Sequence, residues 1–200
     1  KYAKYLMAQG MNIGILENDF GAVNVDMMLL KDLEGDQCEL EMVAGGCDAD
    51  CHRRRFKTKL IAMGMCGYDR VIVEPSGIFD VDEFFDVLRE EPLDQWYEIG
   101  SVITIMNAKL EDTLSEEAEY LLASEAANAG CVVLSRSQDA SPEEIAKTRA
   151  HLNCALQAVH CSRQFGDEII EKNWEDFTEQ DLERIQNSGY HVEDYTKLHF

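Results

Sequence analysis

Glu74 sits where chemistry is easiest to read in this chain. It closes the stretch D-R-V-I-V-E, and Pro75, Ser76 and Gly77 follow it at once. Val71, Ile72 and Val73 form an unbroken β-branched run, which predicts a parallel strand buried on both faces. Open α/β sheets bind ligands at the carboxyl ends of such strands. An acid in that position suits Mg²⁺, held directly or through water, and a glycine just after it lets backbone approach a phosphate. The plainer alternative is that Glu74 only opens a surface loop. A second run, Met11 to Leu16, also ends at an acid, Glu17, and the loop E-N-D-F-G-A-V-N-V-D that follows adds Asp19 and Asp26.

A second chemistry is available at Cys47, Cys51 and His52. Gly45-Gly46 gives Cys47 a flexible approach, and Cys47 and Cys51 share one face if a helix begins there, with His52 beside them. Thiolates and imidazole suit Zn²⁺ or another transition metal. Two or three ligands fall short of a closed tetrahedron. That suits a carrier that releases its metal, or a site completed across the axis of a homodimer. The alternative is that both cysteines are small buried hydrophobes, a reading that Asp48 and Asp50 oppose. Cys38, Cys66, Cys131, Cys154 and Cys161 read as core or incidental positions, and His151, His160, His191 and His199 lack ligand-like spacing.

The elements that must position these residues follow from the pattern. Residues 1–9 read as the end of an amphipathic helix stopped at Gly10. Strands are expected at 11–16, 39–43, 70–74 (the central one), 101–106 and 131–134, with a weaker one at 155–160. Helices are expected at 52–65, 81–88, from a Thr113–Glu116 capping box to Asn128, from Ser141-Pro142, at 168–172 and at 179–187. The alternation predicts an α/β fold, a mostly parallel sheet with helices on both faces.

Composition bounds the partners. The formal net charge of −21 argues against nucleic acid. Arg53, Arg54, Arg55, Lys57 and Lys59 are the local exception: either a solvated helix face, or a patch for an acidic partner or the chain's own acidic surface. Seven irregularly spaced cysteines fit a reducing, cytoplasmic setting, and no run predicts a membrane span.

Four stretches together resemble one family, the P-loop GTPases that include CobW, UreG and HypB. Glu17-Asn18-Asp19-Phe20-Gly21 is similar to its E-N-E-F-G segment, with Asp26 a few residues on. Gly46-Cys47 is similar to its glycine–cysteine metal motif, and Glu74-Pro75-Ser76-Gly77 to its E-x-x-G phosphate motif. Ser135-Arg136-Ser137-Gln138 falls where the family has the guanine-reading N-K-x-D. The resemblance implies a P-loop NTPase fold over residues 1–165, followed by a helical extension and tail at 166–200. Because no G-x-x-x-x-G-K-[ST] occurs, the phosphate loop is expected ahead of Lys1.

The resemblance further implies binding and hydrolysis of GTP with Mg²⁺, coupled to metal delivery to a client metalloprotein. Asp19 and Glu74 would be catalytic, Gly77 would meet the γ-phosphate, and Ser135, Arg136 and Gln138 would meet the base. The chain departs from the family at two of these motifs. C-D-A-D-C-H replaces C-x-C-C, and Gln138 offers a neutral carbonyl where the family has an aspartate, which weakens guanine preference. A non-hydrolysing nucleotide-responsive module, or an NTPase tolerant of ATP, is the alternative.

Overall fold

The structure is a computed structural model that describes residues 1–19, 25–44, 49–75, 81–166 and 168–197; for residues 18, 19, 25–27, 44, 49, 50 and 83 it describes the backbone alone. The chain forms two compact units, Lys1–Glu98 and Ile99–Phe200.

The first unit runs α1 (Tyr2–Ala8), β1 (Ile13–Asp19), α2 (Val25–Leu30), β2 (Cys38–Ala44), α3 (Ala49–Cys66), β3 (Arg70–Glu74), α4 (Val81–Leu88) and α5 (Leu93–Trp96). Gly10, at φ +84°, turns the chain out of α1. The strands are parallel in the order β2-β1-β3. Strand alternation sorts their side chains onto two faces. Ile13 and Ile15 pack with Cys38, Leu40 and Ile72 against Ala3 and Leu6 of α1. Leu16 packs with Val43, Val71 and Val73 against Phe56, Leu60 and Met63 of α3, and against Val87 and Leu93. Helices therefore cover both faces, as the sequence predicts. Gly14 faces α3, where a Cβ would come within 2.5 Å of Met63 Cε.

Two expectations need correction here. β1 starts and ends later than expected, so Glu17 lies inside the strand rather than after it. Among the described residues β3 pairs only with β1 and so lies at the edge of this sheet, exposed at both ends and half-buried between, rather than central and buried on both faces. A β-branched run reports burial of some kind but not how many neighbours the strand has.

The second unit runs β4 (Ile103–Asn107), α6 (Glu116–Asn128), β5 (Cys131–Ser135), α7 (Pro142–Ala158), β6 (Ile169–Ile170) and α8 (Glu179–Gln186), with a parallel sheet in the order β4-β5-β6. Its core sets Met106, Val132, Leu134 and Ile169 against Ala123, Ala126 and Ala127 of α6 and Leu152, Ala155 and Leu156 of α7. The Ser141 capping box forms as expected, its hydroxyl accepting from Glu144 N–H while the Glu144 carboxylate accepts from Ser141 N–H.

Three sequence expectations fail in this unit. The N-cap of α6 is Ser115, not Thr113. Residues 155–160 are not a strand: α7 continues through Ala158, since Leu152, Ala155, Leu156 and Val159 are buried at i, i+3, i+4 and i+7. Residues 168–172 are not helical, because Ile169 and Ile170 are claimed by pairing with Val132 and Val133. Residues 166–200 thus bring a strand to the sheet, and Tyr190 bridges to Ala129. No described helix is long and apolar enough to cross a membrane.

Candidate functional site

The first unit assembles acids at the carboxyl ends of its strands. Glu17 and Glu74 are register partners across β1 and β3, and Met42 flanks Glu17 on the β2 side. Partners in register share a face, and Glu17 follows Ile13 and Ile15 onto the α1 side. Glu17 is buried, at 3% exposure, whereas Glu74 is exposed. Asp19 is the last residue of β1, opposite Ala44. Hard carboxylate oxygens side by side at a strand end suit Mg²⁺, whose charge offsets the repulsion between them. Gly77, expected next to this pair, lies outside the described residues.

The second unit forms a different cluster after β4 and β5. Ser135 closes β5 opposite Asn107, and its hydroxyl donates to Met106 O at 3.2 Å. Arg136 is exposed and takes a left-handed conformation, φ 58°, which costs a residue with a side chain about 1 kcal/mol. Ser137 is buried. Gln138 is exposed, its amide Nε2 3.5 Å from Asp139 Oδ2.

Two bonds lace the turns after β4 and β5 together: Ala108 N–H donates to Ser135 O at 2.9 Å, and Lys109 Nζ donates to Asp139 O at 3.2 Å. Thr148 of α7 holds the first turn from below, donating to Ala108 O at 2.8 Å and accepting from Leu110 N–H. Sequence reasoning passed over Asp139, Lys109 and Thr148. The signal for Asp139 was a carboxylate one position beyond Gln138. Thr148 gave none, since its role depends on the α7 packing.

The cysteine group is only partly brought together. Cys47 lies outside the described residues. Cys51 is half-exposed near the start of α3, while His52 is 1% exposed on the stripe that carries Phe56, Leu60 and Met63 into the core. Consecutive helical residues point about 100° apart, so His52 does not share the Cys51 face. Among the described residues no group of three or more His, Cys, Asp or Glu side chains is arranged to hold a metal ion.

Of the clustered basic residues, Arg53 and Lys57 both reach Glu90 at 2.6 Å, and Lys59 reaches Glu41 at 2.6 Å. Lys57 and Arg53 hold the Glu90 carboxyl below its ordinary pKa. Arg53, Lys57 and Lys59 therefore meet the chain's own acids.

Residues 3–164 match the family model described as CobW/HypB/UreG, nucleotide-binding domain. No curated protein and no solved structure matches the chain.

Proposed function

The chain belongs to the CobW/HypB/UreG family and carries its nucleotide-binding domain, and from that premise we propose that it binds GTP with Mg²⁺, hydrolyses it, and couples the cycle to metal delivery or metalloenzyme maturation. The observation that carries this reading is the register pairing of Glu17, two residues before the end of β1, with Glu74, the last residue of β3. The carboxyl ends of strands are where α/β sheets present groups to ligands.

Mg²⁺ bound with the nucleotide supplies charge neutralisation around the phosphates. Glu74 and Glu17 are the described acids with the donor chemistry to hold it. Asp19, at the end of β1, orients water, and Gly77 meets the γ-phosphate. Ser135, Arg136 and Gln138 meet the base, with the planar Arg136 guanidinium exposed and available for stacking. A neutral amide at Gln138 in place of a carboxylate favours loose guanine preference, and this one observation supports an ATP-tolerant NTPase as the second reading.

The metal is cargo in this proposal. Cys47 and Cys51 supply the thiolates. His52 joins them only if the start of α3 unwinds, since its ring is buried. A partner copy, or the client metalloprotein, completes the coordination.

Two measurements test the reading. Phosphate release from GTP, competed by ATP, tests the nucleotide half; tight binding without turnover replaces it with a non-hydrolysing module. Cobalt titration of wild type, Cys47→Ser and Cys51→Ser, read by the thiolate-to-cobalt absorption, tests the metal half. It fails if no band appears under reducing conditions, or if both variants bind as wild type does.

A further inference from the structure

The turn after β5 keeps two exposed side chains, Gln138 and Asp139, beside each other. Its backbone is closed by two bonds: Asp139 N–H donates to Arg136 O at 3.0 Å, and Ala140 N–H donates to Ser137 O at 3.3 Å. Ser137, between them, is buried. Gln138 Nε2 lies 3.5 Å from Asp139 Oδ2. An amide has a donor end and an acceptor end, whereas a carboxylate only accepts. Asp139 therefore draws the nitrogen of Gln138 and repels its oxygen.

Lys109 fixes Asp139 in turn. Its Nζ donates to Asp139 O at 3.2 Å and pairs with Glu144 Oε1 at 3.0 Å. Glu144 is anchored as well, since its other carboxylate oxygen accepts from Ser141 N–H at 2.8 Å in the capping box of α7. The constraint thus runs from the start of α7 through Glu144 and Lys109 to Asp139, and from there to the Gln138 amide.

From this arrangement we infer that Lys109 and Asp139 are positioning residues for base choice: through them Gln138 presents its carbonyl oxygen, and the site takes 6-oxopurine nucleotides as a class. Guanine and hypoxanthine both carry an N–H at ring position 1, which donates to Gln138 Oε1. Adenine carries a bare ring nitrogen there, so two acceptors would face each other. One neutral carbonyl meets one N–H, and the 2-amino group of guanine goes unread. Without the Asp139 carboxylate the amide turns either end to the base and the preference disappears. The inference rests on the reading that Ser135, Arg136 and Gln138 meet the base, and it names the substrate class of that site.

The test measures the dissociation constants of GTP, ITP and ATP on the full-length protein, by displacement of a ribose-labelled fluorescent GTP. The expected result is GTP and ITP equal within about twofold, and ATP about tenfold weaker. Asp139→Ala frees the amide and brings ATP within about threefold of GTP. Asp139→Glu keeps a carboxylate beside the amide and keeps the wild-type ratios. Lys109→Met reduces the discrimination against ATP. Lys109→Arg retains it, since Lys109 lines a cavity of about 340 Å³ with room for a guanidinium. Ratios are the readout, because a purely structural loss weakens all three nucleotides alike.

Three results overturn the inference: ITP bound more than about tenfold more weakly than GTP, ATP bound as tightly as GTP by wild type, or wild-type ratios in both Asp139→Ala and Lys109→Met. Far-UV circular dichroism confirms that the variants fold, and the wild-type ratios with Lys109→Met decide the matter if Asp139→Ala does not. Wild type that binds none of the three overturns the nucleotide reading itself and this inference with it. The three results above leave that reading standing.

Discussion

Glu17 and Glu74 stand opposite each other across β1 and β3, one carboxylate buried and the other exposed. The pairing follows from register. Ile13 against Arg70 at the start of the strands fixes the two acids together at the end, and a one-residue slip would move the side chains of β3 to the opposite face. Loss of the Glu74 charge with its size kept should therefore leave nucleotide binding in place and slow turnover. Glu74→Gln is expected to reduce phosphate release by about a hundredfold, the usual cost of about 3 kcal/mol of lost transition-state electrostatics. Unchanged release would return Glu74 to the status of a loop residue.

Thr148 should matter to stability out of proportion to its size. Its buried hydroxyl both donates to Ala108 O and accepts from Leu110 N–H. Thr148→Val keeps the shape and leaves both backbone groups without that partner, at an expected cost of about 1–3 kcal/mol in urea unfolding. A change under a few tenths would mean that water replaces the hydroxyl.

Acid should loosen the start of α8. Lys172 Nζ, at 2.6 Å, and the N–H and hydroxyl of Thr178, each at 2.7 Å, all meet Asp181 Oδ2. Lys172, then Thr178, lower the Asp181 pKa from 3.8 to about 2. Because the folded value is depressed, the stabilisation is complete above the unfolded value and is lost as pH falls through the folded one. Asp181→Asn should cost up to about 2 kcal/mol at neutral pH and flatten the stability curve between pH 3.8 and about 2. Glu90, Asp112 and Glu144 are held low as well, so acid sensitivity narrows without vanishing. A variant curve parallel to wild type throughout would remove Asp181 from the account.

Gly130 is where the tail is fastened. Its N–H donates to Val102 O, and Val102 N–H donates to Gly189 O, both at 2.8 Å. A Cβ on Gly130 would collide with the Gly189 carbonyl and lie 2.6 Å from Ser188 O. These are backbone atoms that cannot rotate aside. Gly130→Ala should release the segment after α8, seen as faster amide exchange at Gly189 to His191. Wild-type exchange there would show that the tail has room to shift.

Legibility in the sequence followed the source of each constraint. β3, β4 and β5 announced themselves because apolar, mostly β-branched residues fill short stretches between polar ends, and the Ser141 cap because its geometry is local. β6 was misread because two isoleucines among polar neighbours suit a helix turn as well as a strand; only the neighbouring β5 decides. The end of α7 was misread for the converse reason, since Ala155 to Val159 is apolar enough for a strand until Leu152 is seen to continue its stripe. At the site, Glu74 was legible as a strand-end residue, whereas Glu17 proved to lie inside β1. Their pairing was not legible, because register is a relation between segments some sixty residues apart. The burial of His52 likewise depends on which way α3 rolls onto the sheet.

The division of the chain at Glu98 also bears on how it acquires its structure. Among the described residues, the strand pairings of the first sheet join strands that end by Glu74, and those of the second join strands that begin at Ile103 or later. A ribosome delivers the chain amino end first, and compact units fold as they emerge. The sheet that brings Glu17 beside Glu74 can close before β4 has been made. Translation order therefore completes both strands of the acidic pair before any described strand of the second sheet exists.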